Sequence, residues 1–147
     1  MKIIEAAIKD RDGIAELFNE YRMFYGKESN RRDAGLFIKE RLENQDSMIF
    51  AVQQGEQFLG FVQLYPTFSS ISMKRAWILN DLFVLEEARK QGVAQMLMNQ
   101  AMQFCKETNA SSLSLQTAPD NLSAQKLYEK NGFKREEEFY TYSLMCE

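Results

Sequence analysis

The chain has 147 residues, a formal net charge of −3 and 45% hydrophobic residues, which suits one globular domain, 1–147, and argues against a general nucleic-acid binder. It contains no histidine, and its cysteines, Cys105 and Cys146, lie far apart. That excludes Ser-His and Cys-His nucleophilic systems and gives no reason to expect a metal. No apolar run is long enough to cross a bilayer, and residues 1–5 lack the apolar stretch of a secretory signal, so no membrane partner and a reducing, cytoplasmic setting are expected.

Residues 1–8 read as a short strand. Residues 10–25 read as a helix, with Ile14, Leu17, Phe18, Tyr21 and Phe24 at helical spacing and Gly26 as its stop. A second helix is predicted over 30–42. Residues 48–52 and 58–65 form a hairpin around Gly55, followed by a polar loop over 66–72. A long strand over 75–84 leads into the turn Arg89-Lys90-Gln91-Gly92-Val93-Ala94. The helix after it carries Val93, Leu97 and Ala101 beside Ala94, Met98, Met102 and Cys105, a wide apolar stripe suited to packing on a sheet. A strand over 112–117, a helix over 121–130 ending at Asn131-Gly132, and an aromatic strand over 138–145 complete the chain. Strand-helix-strand units in the second half imply parallel pairing and the hairpin implies antiparallel pairing, so the fold class is α/β, a mixed sheet covered by helices.

The turn at 89–94 carries the first chemical signal. The leading N–H groups of a helix have no partner within it and lie at its positive end, so an anion placed there gains hydrogen bonds and favourable charge together. Gly92 and Ala94 offer little obstruction, and Arg89 and Lys90 add positive charge. The bland alternative is two surface cations beside a tight turn. The turn lacks both the Gly-Lys-Ser/Thr ending of a P-loop and the spacing of a dinucleotide fingerprint.

Leu79-Asn80-Asp81-Leu82-Phe83-Val84, then Arg89-x-x-Gly92-x-Ala94, then Asp120-Asn121, then Leu127-Tyr128-Glu129-Lys130-Asn131-Gly132-Phe133, resembles the GNAT N-acetyltransferase superfamily in order and spacing. The 79–84 stretch with its turn is similar to the polyamine and thialysine branch, and Tyr65-Pro66-Thr67-Phe68-Ser69-Ser70 to a branch with histone- and D-amino-acid-acetylating members. The resemblance implies a largely antiparallel sheet with a splayed central strand pair, acetyl-CoA as co-substrate, a primary amine as acceptor, direct attack in a ternary complex, and a homodimer. It also implies roles. Leu82, Phe83 and Val84 would hold the pantetheine arm on their backbone. Arg89, Lys90, Gln91, Gly92, Val93 and Ala94 would hold the pyrophosphate. Asn121 would bond the cofactor, or merely cap its helix. Tyr128 would stand beside the acetyl-CoA sulfur, or pack in a core. Tyr21, Arg22, Tyr25 and Asn80 would border the acceptor, with the tyrosines equally readable as core stripe.

The chemistry sets requirements. A lysine-like amine needs about 4.6 kcal/mol to lose its proton at pH 7. Asp81 is the nearest carboxylate in sequence to the reaction centre so implied; base through water, anchor for a cationic substrate and structural anchor are its three readings. The polyamine-type relatives carry an acidic pair where this chain has Asn80-Asp81. Proton transfer from tyrosine to a departing thiolate is uphill by about 2 kcal/mol with ordinary pKa values, so Tyr128 would act by hydrogen bonding as readily as by full transfer. A protein lysine or N-terminus as acceptor, and a non-catalytic acyl-CoA-binding module, are the alternatives.

Overall fold

The computed structural model describes residues 1–146, and the chain divides into two compact units, Met1–Gln116 and a smaller one beginning at Thr117.

The larger unit is built on five strands: β1 (Lys2–Glu5), β2 (Met48–Gln54), β3 (Gln57–Ser69), β4 (Lys74–Val84) and β5 (Leu113–Leu115). They lie in sheet order β1-β2-β3-β4-β5. Pairing is antiparallel except between β4 and β5, whose connection runs through a helix long enough to return the chain to the same end. The fold is thus the mixed, largely antiparallel α/β type that the sequence implies.

Helices cover both faces. Helix α1 (Arg11–Phe24) turns Ile14 and Leu17 inward, and α2 (Arg31–Asn44) turns Ala34 and Ile38 inward. Ile14, Leu17 and Ile38 pack on Ile49, Ala51, Phe61 and Phe83 of the sheet. The connection between the two helices is fixed by buried Asn19, which accepts from the Asn30 backbone N–H at 2.8 Å and donates to Ser29 Oγ at 3.0 Å. On the other face, α3 (Val93–Glu107) buries Val93, Leu97, Met98 and Ala101, the stripe read in the sequence. Phe104 of α3 packs against Phe50 and Trp77.

Two expectations are corrected. Residues 66–69 continue β3 instead of starting a loop, and Pro66 pairs with Trp77. Pairing with β2 has already ended at Leu64, so the missing proline N–H costs no ladder bond on that side. Residues 138–145 form no strand; Phe139, Tyr140, Tyr142, Leu144 and Met145 are exposed. An alternating aromatic pattern describes a surface that fits a sheet, and without a ladder partner it does not fix the backbone.

The pairing of β4 with β5 stops at Leu79, whereas β4 continues to Val84. Residues 81–84 therefore pair only on the β3 side among the described residues, and this is the splay. In the smaller unit, α4 (Leu122–Lys130) stands alone as regular structure among the described residues. No helix of the described residues is long and apolar enough to cross a membrane.

Candidate active site

A β-bulge sets the first half of the site. Leu64 pairs with Leu79 and Gln63 with Asp81, so Asn80 is an extra residue in β4. One inserted residue reverses which face each later side chain takes. Trp77 therefore packs on Phe104 of α3, while Phe83 packs on Tyr21 of α1. Asp81 points with Phe83 to the α1 side, and it is buried, with 5% of its surface exposed.

A buried carboxylate needs donors. Gln63 Nε2 donates to Asp81 Oδ2 at 2.8 Å, and Asn80 Nδ2 donates to Oδ1 at 3.1 Å. The Tyr21 hydroxyl faces Asp81 and feels its charge. Gln63 is itself buried and accepts from the Ser47 hydroxyl at 2.9 Å. These donors are neutral, so none of them cancels the carboxylate's charge. Burial, then the charge of Asp81, push the Tyr21 hydroxyl well above the ordinary tyrosine range. Burial and then Asp81 push Tyr65 up to about 12. Tyr21 reaches this place because it continues the inward row of Ile14 and Leu17 on α1. One turn on, Tyr25 meets it edge-on at 5.1 Å and is exposed. Arg22 lies beside them and reaches the Glu28 carbonyl at 3.5 Å.

The second half is the turn after β4. A 3-10 turn over Glu86–Ala88 leads to Lys90 at φ +63° and Gly92 at φ +85°. Two left-handed residues so close together let the chain reverse within the few residues before α3, at the energetic cost such a conformation carries for a lysine. Gly92 is the N-cap of α3 and brings no capping side chain to its first N–H groups. A Cβ at Gly92 would meet nothing within 4 Å, so the backbone angle is what selects glycine there. Arg89 is held close to the strand: its Nε donates to the Val84 carbonyl at 3.1 Å, and its guanidinium lies over Phe24 at 5.2 Å. Gln91 folds back on the Glu87 carbonyl at 3.1 Å, and Lys90 is exposed. Gly60 makes this approach of elements feasible. A Cβ on it would lie 2.7 Å from the Phe83 carbonyl oxygen and 3.1 Å from Val93 Cγ1, at the first residue of α3.

In the smaller unit, Asn121 caps α4, its side chain accepting from the Ala124 N–H at 3.3 Å. Tyr128 is half-buried on α4, its ring 6.0 Å from that of Phe133. The structure thus gathers Tyr21, Asn80 and Asp81 around one carboxylate, sets Leu82, Phe83 and Val84 on the splayed strand end, and places Arg89–Ala94 at the start of α3. Asn121 and Tyr128 belong to the other unit. Sequence reasoning missed Ser47, Gly60, Gln63 and Tyr65. Gln63 had a signal: it is the polar residue within the apolar run Phe61-Val62-Gln63-Leu64. Among the described residues no group of three or more Asp, Glu, Cys or His is placed to hold a metal.

The splayed end of β4 thus leads into the glycine-capped start of α3 on the mixed sheet. The family model described as the acetyltransferase (GNAT) family matches residues 14–133. The chain is 45% identical to an uncharacterized N-acetyltransferase, YhfO, of Bacillus subtilis (strain 168), over 98% of this chain and 97% of that one. It is 32% identical to a probable acetyltransferase of Haemophilus influenzae over 99% and 100%. The crystal structure of a probable acetyltransferase, 43% identical, superposes with a TM-score of 0.94 over 100% of this chain and 99% of that one. The chain belongs to the GNAT family and is an N-acetyltransferase; acetyl-CoA is the family's co-substrate.

Proposed function

We propose that this N-acetyltransferase acetylates a small primary amine, which attacks acetyl-CoA directly in a ternary complex. The observation that carries the reading is the juxtaposition along β4: a buried carboxylate with neutral donors at Asp81, unpaired strand edge from Asn80 to Val84, and the glycine-capped start of α3 just beyond. Acetyl-CoA supplies an activated acetyl thioester. The residues present fit it. Leu82, Phe83 and Val84 would bond its amide arm, and the backbone of Gln91–Ala94, with Lys90, would hold its pyrophosphate. Arg89, tied to Val84 and Phe24, would act first on the shape of the strand end.

Asp81 would hold the acceptor's ammonium group or, through a water molecule, accept the proton the amine gives up before attack. Tyr21, Arg22, Tyr25 and Asn80 would form the acceptor's wall. Tyr128 would hydrogen-bond the departing thiolate and Asn121 the cofactor, each from the smaller unit. The proposed setting is cytoplasmic and the proposed assembly a homodimer.

The test is thiol release from acetyl-CoA with a panel of polyamines, amino acids and lysine- or N-terminus-bearing peptides. Small amines should be turned over with the higher kcat/KM; preference for peptides would replace the small-molecule reading. In the same assay, Gly92→Glu should lose acetyl-CoA affinity while remaining folded, and Tyr128→Phe should lose kcat by about 100-fold with acetyl-CoA affinity kept. Unchanged affinity in folded Gly92→Glu would remove the cradle assignment.

A further inference from the structure

We propose that Gln63, anchored by Ser47, is a positioning residue that fixes the Asp81 carboxylate toward the amine acceptor. The inference rests on the acetyltransferase reading of the site and adds to it two residues on different strands or connections.

Gln63 occupies the middle of β3, opposite Asp81 and beside the bulge. It has no exposed surface. A glutamine there gives up the apolar contacts its neighbours Phe61, Val62 and Leu64 make, and a valine or leucine would fill the position without needing a polar partner. Its amide has two ends that must point correctly. The Ser47 hydroxyl donates to Oε1 at 2.9 Å, and the NH₂ end donates to Asp81 Oδ2 at 2.8 Å. The reversed amide would set its oxygen against the carboxylate and lose that bond, since a carboxylate only accepts. The carboxylate thereby selects which end of the amide faces it, Ser47 anchors the other end, and the anchored amide holds the carboxylate's orientation. Asn80 takes Oδ1 at 3.1 Å. The plane of the Asp81 carboxylate is then held by neutral donors, without the opposing charge an arginine at position 63 would bring. A group held this way meets its reaction partner at one angle, and misplacement by about 1 Å can cost about 100-fold in rate.

The experiment compares wild type, Gln63→Met, Gln63→Glu and Ser47→Ala. It measures melting temperature, acetyl-CoA affinity by calorimetry, and the pH profile of kcat/KM for the best amine. Gln63→Met should bind acetyl-CoA within about two-fold of wild type yet lose amine kcat/KM by about 10- to 100-fold. Ser47→Ala, at a half-buried site, should lose less in the same direction. Gln63→Glu sets two carboxyls together that share a proton, so its profile should gain a pH-dependent limb absent from wild type and from Gln63→Met. Wild-type amine kinetics in folded Gln63→Met, or a parallel loss of acetyl-CoA affinity, would overturn the inference. Should Gln63→Met fail to fold, Ser47→Ala and the Gln63→Glu profile decide: unchanged amine kinetics in both overturn it. A wild-type protein that acetylates no amine would instead overturn the functional reading beneath it.

Discussion

At the scale of single residues, Asp81 is where charge, burial and register meet. Its carboxylate accepts from Gln63 and Asn80. Asparagine in its place has one acceptor oxygen and would set its NH₂ against a donor, leaving a mismatched buried polar group worth about 1–3 kcal/mol. Asp81→Asn should therefore lower the melting temperature moderately, lower amine kcat/KM strongly and leave acetyl-CoA affinity near wild type. Calorimetry and steady-state kinetics on the folded variant check this. A loss of stability with amine kcat/KM intact would identify Asp81 as a structural anchor. The sequence made Asp81 conspicuous through its neighbours Leu79-Asn80 and Leu82-Phe83. It gave no sign of the donors, because Gln63 and Ser47 lie 18 and 34 positions away and meet it only through strand register.

At the scale of elements, the start of α3 is placed by what β3 leaves out. Gly60 lets β3, the end of β4 and Val93 approach within van der Waals distance. Gly60→Ala forces a methyl onto a backbone carbonyl, an overpacking cost of about 1–3 kcal/mol. It should lower the melting temperature and weaken acetyl-CoA binding by shifting the first turn of α3. Gly35, inside α2 with nothing near a built Cβ, is the control: Gly35→Ala should raise stability by up to about 1 kcal/mol and leave binding alone. Denaturant melts and calorimetry on both variants test the contrast, and equal effects would remove Gly60 from this role. The helices themselves were legible from apolar spacing. The bulge at Asn80 was not, since an inserted residue is defined only against the partner strand.

At the scale of the molecule, burial perturbs three titrating groups of the larger unit, Tyr21, Tyr65 and Cys105. Burial raises Cys105 to about 11 from 9.0 and Tyr65 to about 12 from 10.0. The folded chain holds these protons more tightly than the unfolded chain does. Each group's contribution is fully present below its unfolded value and is lost as pH rises through its folded value. Stability should therefore fall from about pH 9, first through Cys105 and then, between about pH 10 and 12, through Tyr65, with Tyr21 continuing beyond. Melting temperature followed over this range should decline less steeply above pH 10 in Tyr65→Phe and between pH 9 and 11 in Cys105→Ala. Slopes equal to wild type in both variants would mean that neither group is buried as described.

Periodicity in the sequence determined α1, α2, α3 and α4 and the hairpin, because the solvent selects apolar side chains by face and a face has a fixed period. The ordered motifs from Leu79 to Phe133 determined the family, because the backbone shape that holds acetyl-CoA needs particular small and polar residues at set spacings. Tertiary structure alone decided that Pro66 sits within β3, that residues 138–145 form no strand, and that Asp81 faces α1 in place of α3. Each of these depends on which strand lies alongside, and hydrogen bonding between strands is set by residues distant in the chain.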